Sequence, residues 1–89
     1  MYKLNFIKYH SQETSEQELK EYNSTPDTTA TITGSLQNSI EIEVSISFNA
    51  IDPYNAILQG QKLAEDNNAE VYSITKTELI ATEELLNQS

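Results

Sequence analysis

Hydrophobic and polar residues alternate along residues 2–9, with Tyr2, Leu4 and Phe6 on one side and Lys3 and Asn5 on the other, the period of a half-buried strand. Residues 10–27 turn polar. Within them Ser15 and Glu18, three positions apart, have the form of a capping box and predict a short helical turn whose only apolar residues are Leu19 and Tyr22. The cluster Asn23-Ser24-Thr25-Pro26-Asp27 predicts the turn after it.

The strongest pattern covers residues 28–48, where two alternating runs meet at a polar turn around Gln37-Asn38-Ser39 and predict a β-hairpin. With Leu36 opposite Ile40, one face collects Ala30, Ile32, Gly34 and Leu36 with Ile40, Ile42, Val44 and Ile46. The other collects Thr29, Thr31, Thr33 and Ser35 with Glu41, Glu43, Ser45 and Ser47. A slip of one residue would drive both glutamates into the core, so the pattern predicts a firmly fixed register.

Asp52-Pro53 has the chemistry of a helix start, a carboxylate for free backbone amides followed by a residue with no amide to orphan. The helix is expected to reach about Asn67. Its stripe of Ala56, Ile57, Gly60, Leu63 and Ala64 predicts close approach to the sheet at Gly60, and Asn67 or Asn68 predicts a left-handed cap. Residues 69–76, through Val71, Tyr72 and Ile74, read as a last strand. Beyond it Thr75 and Glu78 suggest a capping box and a short helix near Thr82–Asn87, with strand extension over 77–81 as the alternative. The fold class that follows is α+β: a small mixed or antiparallel sheet of about four strands, ordered β-β-β-α-β, with one main helix packed on one face, in a single domain spanning residues 1–89.

Eighty-nine residues build only a thin core, burying roughly 60–65% of the surface of the unfolded chain, which disfavours a deep enclosed active site. There is no cysteine, hence no disulfide framework and no thiolate for zinc. Met1–Lys8 lacks the apolar run and small-residue cleavage site of a secretory signal, and no stretch approaches a membrane span, so the expected address is cytoplasmic. The sequons at Asn23-Ser24-Thr25 and Asn87-Gln88-Ser89 would need a secretory route that nothing in the sequence supports.

Charge changes the picture most. Fourteen carboxylates against five lysines and no arginine give a net charge of −9. Such a chain is repelled by phosphate backbones and anionic lipid, which excludes direct nucleic-acid and membrane binding and points to a basic partner. The lack of arginine beside many asparagines, isoleucines and lysines suggests A/T-rich coding, as in a low-GC bacterium or its phages.

Candidate chemistry is sparse. His10 is the only histidine, with no cysteine or second histidine to complete a site, and reads as a surface residue at a strand end. Glu41 and Glu43 fall on one strand face about 7 Å apart, a spacing that suits a carboxylate pair, but an exposed face of serine and threonine does not separate their acidities. The run Glu65-Asp66-Asn67-Asn68-Ala69-Glu70 is rich in oxygen ligands but lacks the glycine and bidentate glutamate of a calcium loop, and a helix end explains it more simply. Glu13, Glu16, Glu18 and Glu21 read as a solvated helical face, and Gly34 and Gly60 are isolated rather than part of a phosphate-cradling loop. No catalytic residue, cofactor or metal ligand is assigned, and an enzyme is not expected.

In size, acidity and lack of motifs the chain is similar to small acidic phage proteins that block restriction or CRISPR nucleases. That resemblance implies a non-catalytic inhibitor in the host cytoplasm whose carboxylates occupy the basic nucleic-acid-binding groove of a host defence or nucleic-acid enzyme. The expected contacts are Glu41, Glu43, Glu65, Asp66 and Glu70, with aromatic anchors among Tyr9, Tyr22, Tyr54 and Tyr72. The alternative is an accessory protein that self-associates as a homodimer through a sheet edge, for which the uncharged Thr28–Leu36 strand offers the opening. The lysines of the first strand would protect its own edge.

Overall fold

The structure, a computed structural model, describes residues 1–76. Six elements follow in order: β1 (Tyr2–Ser11), α1 (Ser15–Ser24), β2 (Thr28–Leu36), β3 (Ser39–Phe48), α2 (Pro53–Asp66) and β4 (Tyr72–Lys76). The strands form one sheet in the order β2-β3-β1-β4, with every neighbouring pair antiparallel. Two β-α-β units interleave, because β3 lies between β1 and β2 while β1 lies between β3 and β4. This is the split β-α-β, ferredoxin-like connectivity. The α+β class and the four strands are as the alternation predicts. The polar stretch after β1, however, holds a ten-residue helix rather than a short turn, so two helices pack on the sheet. The expected C-terminal helix near residues 82–87, and the alternative strand extension over 77–81, lie outside the described residues.

Alternation on the two central strands builds the core. Even-numbered residues of β1 lie opposite even-numbered residues of β3, Leu4 against Ile46 and Phe6 against Val44, and this face carries the helices. Leu4, Phe6, Ala30, Ile42, Val44 and Ala64 form the buried cluster, with Leu19 and Tyr22 of α1 and Leu63 of α2 packed on it. Leu4, Ile42 and Val44 are its largest fully buried side chains. β1 is thus a central strand, not the edge that its lysines suggested; the edges are β2 and β4.

The Ser15–Glu18 capping box does not form. Thr14 takes the N-cap position without a side-chain cap, and Ser15 is the first helical residue, buried, with its hydroxyl donating to the Gln12 carbonyl at 3.1 Å. The Asn-Ser-Thr cluster closes the other end of α1: the Ser24 hydroxyl donates to the Lys20 carbonyl at 2.7 Å and that of Thr25 to the Glu21 carbonyl at 2.9 Å. The Thr25 bond reaches one of the last four carbonyls, which a helix end leaves without intrahelical partners, while the Ser24 bond adds to a carbonyl one turn back.

The hairpin forms, but in a different register. Its loop is the two residues Gln37 and Asn38, with Leu36 opposite Ser39, and Ala30 lies opposite Val44 rather than Ile46. Gln37 has φ 56°, the left-handed backbone that two-residue hairpin loops require. A β-bulge between Ile32 and Gly34 inserts Thr33 as an extra residue, and one extra residue inverts the faces beyond it. Leu36, expected in the core beside Ile40, is consequently 72% exposed.

The start of α2 is as predicted. The Asn55 N–H donates to Asp52 Oδ1 at 2.8 Å, and Pro53 opens the helix. Its end is a Schellman motif around left-handed Asn68 (φ 54°), with the Asn68 N–H donating to the Glu65 carbonyl and the Ala69 N–H to the Ala64 carbonyl. Ala56, Gly60 and Ala64 are the buried face, whereas Ile57, expected within the stripe, is half exposed because the contact runs along the small residues. A Cβ on Gly60 would stand 2.9 Å from Ile74 Cγ1 and nearer still to its Cδ1. Gly60→Ala is therefore expected to lower stability in urea unfolding by about 1–3 kcal/mol despite the better helix propensity of alanine. The double variant with Ile74→Val, which removes the nearest methyl, should recover part of that loss.

Candidate partner-binding face

The helices cover one face of the sheet, and no other described residue covers the second. Odd-numbered residues of β1 and β3 share it, with Thr29 and Thr31 of β2 and Ser73 and Thr75 of β4. Hydrogen bonds cross it at mid-sheet: the Ser45 hydroxyl donates to Asn5 Oδ1 at 2.8 Å, and Asn5 Nδ2 donates to Thr75 Oγ1 at 3.1 Å. This row ties three strands together and leaves a polar surface.

Beyond the row the composition changes. Ile7 and Tyr9 interrupt the polar alternation of β1 and stand 48% and 60% exposed, while Val71, just before β4, is 85% exposed. β4 stops pairing at Tyr72 opposite Phe6 although β1 continues to Ser11. A groove of about 820 Å³ opens there between residues 5–9 of β1 and residues 68–73, Glu70 among them, with Glu43 also in its wall. Lys8 Nζ donates to the Asn68 carbonyl at 2.6 Å, which ties the end of α2 to β1.

Glu41 is held at the side of this surface by two donors, the Tyr9 hydroxyl to Oε1 at 3.1 Å and the Thr33 hydroxyl to Oε2 at 2.8 Å. The bulge that displaces Leu36 is thus the same feature that supplies Thr33 to Glu41. The hydrogen bond to Glu41, and then the charge of that carboxylate, hold the Tyr9 phenol above its ordinary value of 10.0, because both favour the protonated form.

Of the residues expected to make contacts, Glu41, Glu43 and Glu70 come together here with Tyr9. Tyr72 borders the groove but packs partly against the core. Glu65 and Asp66 are exposed on the last turn of α2, in the helical layer, and Tyr54 is exposed on its first turn, about 18 Å along the axis from Asp66 at 1.5 Å per residue. Tyr22 lies in a second cleft of about 380 Å³ on the helical side, with Glu18, Glu21, Ile46 and Leu63; burial, then Glu18 and Glu21, raise its phenol above the ordinary value. Ile7 and Val71 are not among the expected contacts: Ile7 is an apolar residue out of phase with the core-facing alternation of β1, and Val71, read as part of the last strand, lies just before β4.

His10 is not a simple surface residue. It is half-buried on the helical side of β1, its ring 6.2 Å from that of Tyr22, and its buried Nε2 has no hydrogen-bond partner among the described residues. It lies on the opposite face of the sheet from Glu41 and Glu43, so these three groups do not assemble into a proton-transfer site. Among the described residues no three histidine, aspartate or glutamate side chains gather to hold a metal ion, and no helix is long and apolar enough to cross a membrane. What the open face offers is contact chemistry: three exposed apolar side chains bordered by three carboxylates. Compared with protein-family models, curated proteins and solved structures, the chain matches none.

The Tyr9–Glu41 bond makes a pH prediction. Because the folded-state phenol value is raised, the stabilisation is complete below the unfolded value near 10 and is lost as pH rises through the folded one. In an alkaline titration followed by NMR, Glu41→Gln should bring the Tyr9 midpoint down towards the ordinary value, since the carboxylate charge is gone. An unchanged midpoint would show that the bond does not persist in solution.

Proposed function

We propose that the protein acts without catalysis, as an acidic protein-binding inhibitor whose open sheet face docks on the basic nucleic-acid-binding groove of a cytoplasmic enzyme. In this reading it is a phage or mobile-element product of the anti-restriction or anti-CRISPR type. One observation carries the proposal: Ile7 and Tyr9 stand exposed on the uncovered face with exposed Val71 beside them in one groove, whose wall holds Glu43 and Glu70, and Glu41 is bonded to Tyr9. An apolar centre excludes water around a contact, and a carboxylate rim selects lysine and arginine on the partner and steers the encounter. The net charge of −9 favours approach to a basic surface and disfavours nucleic acid itself. Glu41, already fixed by two hydroxyl donors, loses little freedom when a cation pairs with it.

The test is an affinity pull-down of the tagged chain from a low-GC bacterial lysate, washed at low and high salt and with nucleic acid as competitor, repeated with charge-reversed variants. The expected catch is a basic nucleic-acid enzyme released by salt and by competitor. Glu43→Lys with Glu70→Lys should weaken its binding by about tenfold or more, while Glu65→Lys with Asp66→Lys should change it by no more than about threefold. Equal effects of the two pairs would move the contact off the open face. Binding indifferent to salt and to competitor would overturn the mimicry reading altogether.

A further inference from the structure

Among the described residues β2 is an edge strand, and it has no charged residue, the kind of edge that pairs with other chains unless something prevents it. The outward groups of β2 follow from its hydrogen bonds. The Ser47 N–H donates to the Asp27 carbonyl at 2.8 Å, in the continuation of the register that sets Thr28 opposite Ile46. Backbone direction alternates along a strand, so Thr29 and Thr31 bond to β3, whereas Thr28, Ala30 and Ile32 turn their N–H and C=O groups outward.

Two of these outward positions are already occupied from within the chain. The Thr28 N–H donates to the Thr25 carbonyl at 3.3 Å. Ala30 is engaged twice by one side chain: its N–H donates to Asn23 Oδ1 at 2.9 Å, and Asn23 Nδ2 donates to its carbonyl at 3.1 Å. This is the pair of bonds that a residue of a neighbouring strand would make, supplied instead by a carboxamide on the last turn of α1.

We propose that Asn23 is an edge latch: its carboxamide stands in for a residue of a fifth strand, and when it is withdrawn β2 pairs antiparallel with β2 of a second copy of this chain. The occupant follows from charge. Two chains of net charge −9 repel over most of their surface, but the Thr28–Leu36 edges meet without opposing carboxylates. Pairing about a two-fold axis at Thr31 is self-complementary, with Ala30 of each copy opposite Ile32 of the other. The bulge at Thr33 ends the regular part of the edge, so Thr28–Ile32 is the pairing stretch, and half-exposed Ile32 becomes covered. Because the latch sits on α1, whose apolar contacts with the core are the part-buried Leu19 and Tyr22, lifting the end of that helix opens the edge.

Sedimentation velocity on the full chain tests this, with circular dichroism to confirm the fold of each variant. The wild type is expected to be monomeric. Asn23→Ala should show a concentration-dependent dimer, and adding Ile32→Lys should return it to monomer, since an ammonium on the edge opposes pairing. Asn23→Asp, which keeps one of the two bonds and nearly the same shape, decides the matter if Asn23→Ala does not fold; it should dimerise more weakly. Amide exchange at Ala30 should quicken by about tenfold or more in dilute Asn23→Ala. A folded latch variant that stays monomeric, a wild type that already dimerises through β2, or association indifferent to Ile32→Lys would each overturn the proposal. None of these substitutions touches the open face, so partner capture is a separate readout.

Discussion

The pairing of β1 with β3 over ten residues is the constraint on which the rest of the domain depends. It sets Leu4 and Phe6 beside Ile46 and Val44 on one face and consigns Lys3, Asn5, Glu41 and Glu43 to the other. Strand alternation has a period of two, so no adjustment short of a bulge can move one of these residues without moving all of them. A chain of this length can bury one face of one sheet and little more. The helices therefore need surfaces that sit low on that face, and the buried positions of α2 are alanine, glycine and alanine.

A one-sided core leaves the second face of the sheet without a packed layer among the described residues. Its centre is satisfied by side-chain hydrogen bonds across three strands, which suits a face in water. Its end near Tyr9 is not of this kind, since apolar groups stand exposed beside carboxylates and β4 departs from β1 to leave a groove. Two features far apart in the chain produce it: the early end of the β1–β4 ladder at Tyr72, and the bulge that aims Thr33 at Glu41. Strands carry these groups and Lys8 anchors the adjoining loop, so under the proposed docking the surface is largely formed in the free chain, which would limit the ordering cost of association.

Antiparallel sheets open on one face also have open edges, and β2 meets that hazard with local means. The Asn-Ser-Thr cluster looks like an ordinary turn in sequence. In the fold its three side chains do separate work: Ser24 and Thr25 close the carbonyls of α1, while Asn23 reaches across to the backbone of Ala30. The last turn of a weakly apolar helix is thereby tied to the sheet margin, and the margin is covered by the same two bonds.

By itself the sequence determined what depends on neighbours in the chain: the alternation of β1 and β3, the Asp52-Pro53 start of α2, the left-handed cap at Asn68, the close approach at Gly60 and the placing of Glu41 and Glu43 on the face away from the core. Each follows from local geometry or from a period that repeats within a few residues. Tertiary structure alone decided the strand order, which made β1 central and β2 an edge. It also decided the bulge that turned Leu36 outward, the length of α1, the placing of Glu43 and Glu70 on one groove, and the bonding of Asn23 to Ala30. The physical reason is common to all of these. They depend on contacts between segments whose own patterns are compatible with several partners, and the choice falls to whichever arrangement buries the one available core without leaving backbone groups unpaired.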